Sequence, residues 1–460
     1  MSRSPLYRDV AREHGFEPLR VEGELPAELE GILYRNGAGL FGSHGRRYLH
    51  LFEGQGAISA VRFANGQARG AIRVVESEGW REEREAGRPL YGSAASRPRR
   101  IANALRGRSN NAANVSVLAW QGRVFGVVDL SKPIEVSPAT LETIGESDLE
   151  GAIAHTFSAH LHRVAARDAS YGFGIRYGRT TELDLYELPG RGRARRLGSV
   201  PIAATAVHDF AATERQLIFV LGPARIAIAR ALLGEARPER LVHWDAQGAS
   251  EVLIVPIDDV AAALRIPAEP FFVWHFANAF ERGGEIFVDF VRHGDVSGTG
   301  TMVDSATHDG RVIDQDEGEL YRATIELGAQ RLRLERVLPT RSEFPRIDER
   351  GEGAERRYVW LTAKDGASPR GIARVDLHRA ESRVWTPPPG QHVTEPIFAP
   401  LRSGDGETDG FVLVLVFDER TGTSHVAVLD ANAPERGPLA RAHFDHAVPL
   451  TLHGTFVAST

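Results

Sequence analysis

Short hydrophobic runs that end in turn residues recur along this 460-residue chain from about residue 30 to its C-terminus. Branched and aromatic residues predominate in the runs, and glycine, aspartate or asparagine follows them, which is typical of β-strands and hairpins. Helical periodicity is scarce, and no linker or shift in composition divides the runs. The chain is therefore expected to be all-β. Five of the runs read RVFGVVDL, QLIFVLG, EIFVDFV, RYVWLTA and FVLVLVF.

An all-β chain of this length has many strand edges to protect, because exposed edges pair with other chains. A β-propeller protects them by radial repetition, with four strands in each blade. Six or seven blades of roughly 50 residues would fit the length. No sharp sequence repeat marks the blades, so several β-sandwich domains stay an alternative at this point. The absence of a linker favours a single domain over residues 1–460.

Three segments are expected to interrupt the strands. Residues 6–15 are predicted to form a short N-terminal helix, and residues 258–264 a short turn. The third segment, PARIAIARALL at residues 223–233, is predicted to be helical because Pro223 suits the first helical position. It is apolar apart from Arg225 and Arg230.

The composition limits the possible functions. Cysteine is absent, which excludes disulfides, thiolate metal sites and catalytic thiols. The longest apolar run, residues 411–417, is far shorter than the roughly 20 residues of a membrane helix, and the N-terminus has no apolar signal segment. The formal net charge of -6, without a basic block, argues against nucleic acid as a partner. A soluble, cytoplasmic protein is predicted, with histidine, aspartate and glutamate as its metal ligands.

Four of the 17 histidines lie in stretches rich in strand-forming residues: His160, His208, His275 and His453. His275 lies in PFFVWHFANAFE, where an imidazole surrounded by aromatic residues needs a polar partner, and a metal is one option. The separations of the four match no local zinc motif. If a blade is roughly 50 residues long, however, each histidine comes from a different blade, and all four can converge on the central axis.

Other interpretations of the same residues stay open. His160 and His162 are two residues apart and would face the same side of a strand, so the spacing does not choose between them. His443, His446 and His453 form a local set that is an alternative zinc site. The glycine-rich stretches NGAGLFG and EGQG lack the strand-turn-helix context of nucleotide loops, and turn glycines are the better interpretation. A G-x-S-x-G elbow is absent, so a hydrolase triad is not expected.

Ten motifs, in order, resemble those of the carotenoid cleavage oxygenase family, which includes stilbene-cleaving dioxygenases and a retinoid isomerase. The resemblance extends from about Leu33 to Phe456, nearly the whole chain. A single motif can match by chance, but chance does not explain ten motifs in the same order. They read LYRNGAGLF, HLFEGQGAI, NAANVSVLAWQGRVFGVVD, SAH, HDFAATE, WHFANAFE, SEFPRID, TEPIFAP, ETDGFVL and HGTF.

The resemblance implies a seven-bladed β-propeller with a small helical and loop dome over the metal face. It also implies one non-haem Fe(II) per chain, and it prefers His160 to His162 as a ligand. Neutral imidazoles would hold Fe(II) without neutralising its charge and would leave up to two positions of an octahedron open. The four ligands that the resemblance implies are His160, His208, His275 and His453.

In the family, three glutamates accept the remaining N–H groups of ligand histidines, which fixes the rings. Glu343 and Glu395 match two of them by motif. The third position holds Asp129, which is one methylene shorter, so it is expected to reach its histidine through a water or a shifted backbone. Leu161 stands where the family has a proline.

The resemblance predicts a dioxygenase that uses O2 to cleave a conjugated C=C bond of a carotenoid or apocarotenoid into carbonyl products. A stilbenoid- or phenylpropenoid-cleaving enzyme is the alternative within the family, and a catalytically silent propeller that binds an apolar ligand is the alternative outside enzymes. No protein acid or base is expected to act directly. The side chains expected along the substrate tunnel are Val115, Phe271, Phe272, Trp274, Phe276 and Phe280.

The expected partner is an apolar polyene or stilbenoid molecule, and nucleic acid is not expected. Such substrates are insoluble, so peripheral contact with a membrane is also expected, through PARIAIARALL and its two arginines. The alternative is that this segment packs on the propeller as a dome helix. No oligomeric state is assigned.

Overall fold

Antiparallel strands make up most of the regular structure in the computed structural model, which describes residues 4–296, 318–364 and 369–459. The first strands along the chain are β1 (His14–Pro18), β2 (Arg20–Gly23), β3 (Gly31–Leu40), β4 (Gly42–Ser43), β5 (Arg46–Arg47), β6 (Gln55–Ala64), β7 (Gln67–Val74), β8 (Ser116–Trp120), β9 (Arg123–Val127), β10 (Ile134–Val136), β11 (Thr143–Glu146), β12 (His162–Val164), β13 (Ala169–Arg176), β14 (Thr181–Pro189), β15 (Arg195–Ile202), β16 (Ala211–Ala212) and β17 (Gln216–Leu221). The remaining strands are β18 (Ala224–Ile226), β19 (Val242–Trp244), β20 (Ser250–Pro256), β21 (Leu264–Ala268), β22 (Phe272–Arg282), β23 (Glu285–His293), β24 (Gly318–Glu326), β25 (Arg331–Arg346), β26 (Tyr358–Lys364), β27 (Gly371–Asp376), β28 (Glu381–Trp385), β29 (Gln391–Val393), β30 (Ile397–Pro400), β31 (Gly410–Asp418), β32 (Thr423–Asp430), β33 (Pro438–His443) and β34 (Thr451–Ala458).

The helices are short and few among the described residues. The α-helices are α1 (Glu78–Ala86), α2 (Arg97–Leu105), α3 (Ile228–Leu232) and α4 (Pro238–Leu241). Single 3-10 turns occur at Pro5–Tyr7, Leu51–Glu53, Ala165–Arg167, Val260–Ala262, Glu349–Gly351 and Pro434–Arg436. The prediction of a mostly β chain is confirmed.

The strands form successive antiparallel sheets, and most hydrogen-bonded neighbours are also neighbours along the chain. The larger sheets that the described ranges contain have the orders β1-β7-β6-β3-β34, β11-β10-β9-β8, β12-β13-β14-β15, β16-β17-β20-β21, β22-β23-β24-β25-β26-β27-β28 and β2-β33-β32-β31-β29, with β30 also paired to β31. Because β25 joins seven strands into one sheet, hydrogen bonding does not by itself fix the number of blades.

The two ends of the chain close the array. The N-terminal strand β2 pairs with β33, and the C-terminal strand β34 pairs with β3. Each end therefore completes a sheet whose other strands come from the opposite end of the sequence. This double exchange ties both ends of the chain into sheets.

Apolar side chains of adjacent sheets interdigitate to form the core. Phe173, Phe210 and Phe219 are an example from two neighbouring sheets, with ring centroids 5.2–5.6 Å apart. All three are almost fully buried. Burial of one such side chain contributes about 1.5–3 kcal/mol, so contacts of this kind hold neighbouring sheets together.

Both predicted helices, at residues 6–15 and 223–233, are wrong over most of their length. Residues 6–15 contain only the end of a 3-10 turn before β1 begins, because β1 pairs with β7. In the segment 223–233, β18 pairs with β19 and leaves only five residues for α3. The predicted turn at 258–264 is observed as a 3-10 turn. None of the helices that the structure describes is long and apolar enough to cross a bilayer.

Candidate metal centre

Four imidazoles meet at one point, although they are far apart in the sequence. One nitrogen from each of His160, His208, His275 and His453 lies within 4.8 Å of the other three. The Nε2 atoms of His160 and His208 are 3.0 Å apart, and those of His275 and His453 are 3.1 Å apart. The structure thus brings together the four histidines that the sequence indicated.

Each of the four histidines lies in, or just before, a strand of a different sheet. His160 precedes β12, His208 precedes β16, His275 lies in β22 and His453 lies in β34. These four strands are all at the edge of their sheets. Edge strands of successive sheets face one another, which is why residues so distant in the sequence can share a centre.

A β-bulge in β22 orients the side chain of His275 toward the cavity. Val273 pairs with Arg292 and Phe276 with Phe290, so the two residues between them on β22 oppose a single residue of β23. A bulge of this kind breaks the strict alternation of side chains. As a result, the adjacent residues Trp274 and His275 both face the central cavity.

Three of the four imidazoles donate their Nδ1–H to a carboxylate. The contacts are His208 to Asp129 at 2.6 Å, His275 to Glu343 at 2.5 Å and His453 to Glu395 at 2.9 Å. For His160, the nearest carboxylate oxygen, on Asp209, is 3.8 Å from Nδ1, which is too long for a hydrogen bond. A neutral imidazole whose Nδ1 carries the proton keeps a lone pair on Nε2, which is the atom that can bind a metal.

This arrangement fits a metal ion. The Nε2 atoms of His275 and His453 both carry lone pairs, yet they lie 3.1 Å apart and have no proton to share. Two such lone pairs repel each other unless a cation lies between them. Two nitrogens each about 2.0–2.1 Å from one ion, at a right angle, would be about 3 Å apart. The residues present could therefore hold a divalent transition metal.

Asp129 reaches its histidine directly, without the water that its shorter side chain suggested. Its Oδ2 accepts from His208 and its Oδ1 accepts from the Ala159 N–H at 2.9 Å. The backbone departs from a regular strand here, since Leu130 has a φ of 67° and donates its N–H to the Phe157 carbonyl. Asp129 thus links the loop before His160 to the ring of His208.

We expect Asp129→Asn to weaken metal binding by about 10- to 100-fold, because the amide cannot accept from His208 as a carboxylate does. Asp129→Glu should cause a smaller loss, since it keeps the charge but must fit a longer side chain between two fixed partners. Competition with a metal chelator measures both affinities. Asp258→Asn is the control, because Asp258 is exposed and pairs with Arg167 away from the centre. Wild-type affinity in Asp129→Asn would contradict this role.

Glu395 lies in a buried cluster of charges. Its Oε2 accepts from Arg35 Nη1 at 2.7 Å and from the Gly454 N–H at 3.0 Å, and its Oε1 lies 3.7 Å from Arg346. Burial alone would raise the pKa of Glu395, but Arg346, His453 and Arg35 outweigh burial and lower that pKa to about 2. Glu395 is therefore a carboxylate at neutral pH and a fixed acceptor for His453.

Glu343 holds two histidines, and the sequence indicated only one. Its Oε2 accepts from His275 and its Oε1 accepts from His293 Nε2 at 2.8 Å. Burial would raise the pKa of Glu343, but His275 and His293 hold it well below its usual value. His293 lies at the end of β23 and lines the cavity. No motif in the sequence marked it.

Phe344 is a second residue that sequence reasoning missed. It adopts a left-handed conformation, with a φ of 54°, which is rare for a bulky side chain and costs about 1–3 kcal/mol. Its ring lies 5.1 Å from that of His275 and 5.4 Å from that of His453. Its N–H donates to Glu343 Oε2 at 2.5 Å. The strained residue therefore fixes the carboxylate while it packs against two imidazoles.

His162 does not join the four. Its Nε2 is 2.9 Å from Asp209 Oδ1, and its Nδ1 contacts Glu352. Burial would lower the pKa of His162, but the two carboxylates raise it to about 10, so the ring stays protonated and cannot bind a metal. The expected same-side geometry fails because β12 begins only at His162, after His160. The local set of His443, His446 and His453 is not brought together either, since the first two line a different groove.

A cavity of about 370 Å³ opens beside three of the four histidines, His208, His275 and His453. Its size is in the range of small-molecule sites. The loop after α2 contributes Ser109 and Asn110 to the wall. The apolar side chains that line the cavity are Phe52, Ala112, Val115, Val128, Leu130, Trp274, Phe344 and Leu452. Besides the residues already described, the polar side chains in its wall are Ser109, Asn110 and Ser131.

The structure places only Val115 and Trp274 of the expected tunnel residues in this wall. Phe271 and Phe276 pack against Phe290 in the core between sheets, and Phe280 stacks on Phe287. Phe272 contacts the cavity indirectly, through the ring of Trp274 at 4.7 Å. The bulge decides this outcome, because it turns residues 274 and 275 inward and leaves the flanking phenylalanines in the core.

Comparison with known proteins gives a consistent result. A family model described as retinal pigment epithelial membrane protein matches residues 7–458. The chain is 29% identical to the apocarotenoid-15,15'-oxygenase of Synechocystis sp., over 98% of this chain and 95% of that protein. It is 26% identical to lignostilbene-alpha,beta-dioxygenase isozyme III of Sphingomonas paucimobilis, over 98% of this chain and 96% of that protein.

Among solved structures, cobalt-substituted Synechocystis ACO superposes on the chain with a TM-score of 0.88 at 28% identity, and the match covers 98% of each chain. That structure is a β-propeller, so the predicted propeller class is confirmed. The number of blades stays a prediction.

Proposed function

The chain belongs to the family of the retinal pigment epithelial membrane protein and the carotenoid cleavage oxygenases, and from this we propose that it is a non-haem Fe(II)-dependent dioxygenase that cleaves a conjugated C=C bond of an apocarotenoid or carotenoid. The observation that carries the proposal is the convergence of four imidazole nitrogens, three of them on rings oriented by carboxylates. The names of the relatives support an oxygenase.

We assign one Fe(II) per chain to His160, His208, His275 and His453. The donors are all neutral nitrogens, so the ion would keep its full positive charge, unlike iron in sites with two histidines and one carboxylate. Bound Fe(II) would activate O2 so that one oxygen atom ends on each carbon of the cleaved double bond, which gives two carbonyl products.

The protein itself binds and orients the substrate and excludes water. Trp274, Phe344 and Leu452 supply apolar surface next to the histidines. Val115 is held beside the fourth histidine, because its carbonyl accepts from the His453 N–H at 3.1 Å. We propose that the Val115 side chain narrows one approach to the ion. Asp129 and Glu343 already accept from histidines, and neither is needed as a proton donor.

The residue at one position of the cavity bears on the choice of substrate. By resemblance, stilbene-cleaving relatives carry a lysine immediately before the first acidic partner, where it engages the phenol oxygen of the substrate. Here that residue is Val128, which lines the cavity. Lys132 is not in the cavity wall as far as the described residues show, and its carbonyl accepts from Asn111. A phenol beside Val128 would stay unpaired, at a cost of about 1–3 kcal/mol.

We therefore expect kcat/KM to be about 5- to 150-fold higher on apocarotenoids than on hydroxystilbenes. The purified protein, supplied with Fe(II) and O2, is incubated with carotenoids, apocarotenals and stilbenes in one detergent, and products are identified by mass spectrometry. Lys132→Met is compared with Lys364→Met, its control, because these are the two lysines of the chain. Faster turnover of the hydroxystilbene that is lost only in Lys132→Met would contradict the assignment. An iron-loaded protein without any product would indicate a silent propeller.

Cleavage of a stilbenoid or phenylpropenoid is the second candidate function, and one observation favours it. Ser131 and His293 are two of the polar side chains that line the cavity wall. Either could pair with a phenol that enters from another direction than Val128. The same substrate panel decides between the two candidates, because a hydroxystilbene bound at Ser131 or His293 would be cleaved at full rate in Lys132→Met as well.

We also propose peripheral contact with a membrane, from which an insoluble substrate is collected. Helices α2 and α3 contact each other, and three large apolar side chains are exposed at their C-terminal ends. Leu105 is 73% exposed, Leu232 is 44% exposed, and Leu233, directly after α3, is 59% exposed. Arg100 joins the two helices, since its Nε donates to the Gly234 carbonyl at 2.8 Å. Exposed leucines flanked by arginines suit adsorption to a bilayer surface.

Replacing Leu232 and Leu233 together with glutamate is expected to reduce binding to liposomes several-fold without loss of the fold, because exposed leucines contribute little to the core. Sedimentation with liposomes measures the binding, and thermal unfolding measures the fold. Leu439→Glu is the matched control, because Leu439 is 43% exposed in β33. Unfolding of the double variant would favour the alternative that this segment packs on the propeller, and unchanged sedimentation would rule out contact through α3.

A further inference from the structure

A groove of about 790 Å³ lies apart from the metal centre and shares no lining residue with its cavity. Strands β1, β2, β32 and β33 contribute to its walls. Four histidines line it: His14, His425, His443 and His446. Nε2 of His14, His425 and His446 is buried and has no hydrogen-bond partner among the described residues, whereas Nε2 of His443 lies 3.3 Å from Glu22 Oε2. A buried nitrogen without a partner is costly, so three in one groove call for an explanation.

Two of these rings have the tautomer of a metal ligand. His14 Nδ1 lies 2.9 Å from the Gly15 carbonyl, which can only accept, so Nδ1 carries the proton. His446 Nδ1 lies 2.7 Å from Asp445 Oδ1, which is likewise an acceptor. In the neutral form of each ring Nε2 therefore keeps a lone pair, and the two ring centroids are 5.1 Å apart. Metal-binding histidines show this pattern, with the other ring nitrogen donating to a carbonyl or carboxylate.

The charges around the pair favour a cation. Arg12 Nη2 lies 3.0 Å from Glu17 Oε2 and 3.4 Å from Asp445 Oδ1. Two carboxylates and one guanidinium leave one net negative charge beside the imidazoles. Burial lowers the pKa of His14, so its ring is neutral at neutral pH and can donate its lone pair.

We propose that the Nε2 atoms of His14 and His446 bind one divalent transition-metal ion, of the kind that prefers imidazole, such as Zn²⁺. The site is separate from the four-histidine centre. Imidazole suits Zn²⁺, Cu²⁺ and Ni²⁺ among the divalent ions. Water can complete the coordination, because the groove is open to solvent and its carboxylates lie at its rim, with Asp445 76% and Glu17 45% exposed.

The test uses the full chain with its iron in place. Iron-loaded protein is dialysed against increasing Zn²⁺, and both metals are quantified by mass spectrometry. We expect one additional Zn²⁺ per wild-type chain with unchanged iron content. His14→Gln and His446→Gln should each lose that equivalent or bind it at least 10-fold more weakly. His378→Gln should keep it, because His378 is a half-exposed histidine that pairs with Glu355 elsewhere.

A third variant keeps the test decisive if either glutamine variant fails to fold. Asp445→Asn changes an exposed side chain and leaves both imidazoles, yet it should weaken Zn²⁺ binding by about 10- to 100-fold because His446 loses its carboxylate acceptor. The proposal is overturned if wild type takes up no second ion. It is equally overturned if the second ion binds as tightly to the folded His14, His446 and Asp445 variants as to wild type.

Discussion

Replacing His453 with alanine is expected to abolish iron binding and the cleavage of every substrate. The variant removes one of four nitrogens and leaves the Nε2 of His275 without its neighbour at 3.1 Å. The loss should exceed the roughly 10- to 100-fold effect of removing an outer hydrogen-bond partner, because a direct ligand is lost. Iron content by mass spectrometry and product formation under O2 measure the effect.

Two comparisons make this result specific. His378→Ala removes an imidazole that pairs with Glu355 away from the centre and should bind iron as the wild type does. Thermal unfolding of metal-free His453→Ala shows whether the fold persists. Full activity in a folded His453→Ala would refute the ligand assignment. Wild-type protein that was supplied with iron but holds zinc and no iron would refute the assignment of iron.

Arg35→Ala is expected to destabilise the protein by about 3–5 kcal/mol, because it leaves the carboxylate of Glu395 buried without its closest charge partner. Arg35 and Glu395 are each 2% exposed and form a 2.7 Å ion pair. Arg35 also donates to the Thr451 hydroxyl and the Leu452 carbonyl at the start of β34. The variant thus loosens the strand that carries His453 as well as the acceptor that orients it.

Denaturant unfolding of the metal-free protein measures this effect. Arg331→Ala is the matched control, since Arg331 is 67% exposed, and exposed ion pairs such as its contact with Glu326 contribute only about 0–1 kcal/mol. A change below 1 kcal/mol in Arg35→Ala would mean that Arg346 alone compensates the charge of Glu395. We expect iron affinity to fall in the same variant, because Glu395 also fixes His453.

The strands could be predicted because their signal is local. Each is a short apolar run between turn residues, and β31 and β32 are almost continuously buried on either side of the hairpin at 418–423. The sequence did not indicate α1 and α2, because each is only nine residues long and two and a half turns give too short a pattern to stand out. Residues 14–18 became a strand only through pairing with β7, which no local pattern reveals.

Only those residues of the metal centre that lie in the family motifs could be predicted from the sequence. These motifs indicated the four histidines and three acidic partners, but not His293, which enters through the register of β23 against β22. The pairing of β22 with β23 also contains the bulge, which turns Trp274 into the cavity and leaves the neighbouring phenylalanines in the core. Phe344 adjoins a motif residue, yet its left-handed backbone follows from the register shift in β25 rather than from its neighbours. Such shifts depend on pairing partners that lie far along the sequence.

The exchange of terminal strands also sets a time order for maturation. His453 lies in β34, which can pair with β3 only after nearly all of the chain has left the ribosome. A nascent chain therefore presents at most three of the four imidazoles, however completely its earlier sheets have folded. The complete four-nitrogen centre therefore forms only after synthesis of the last strand, so closure of the sheet array and completion of the centre are one late event in biogenesis.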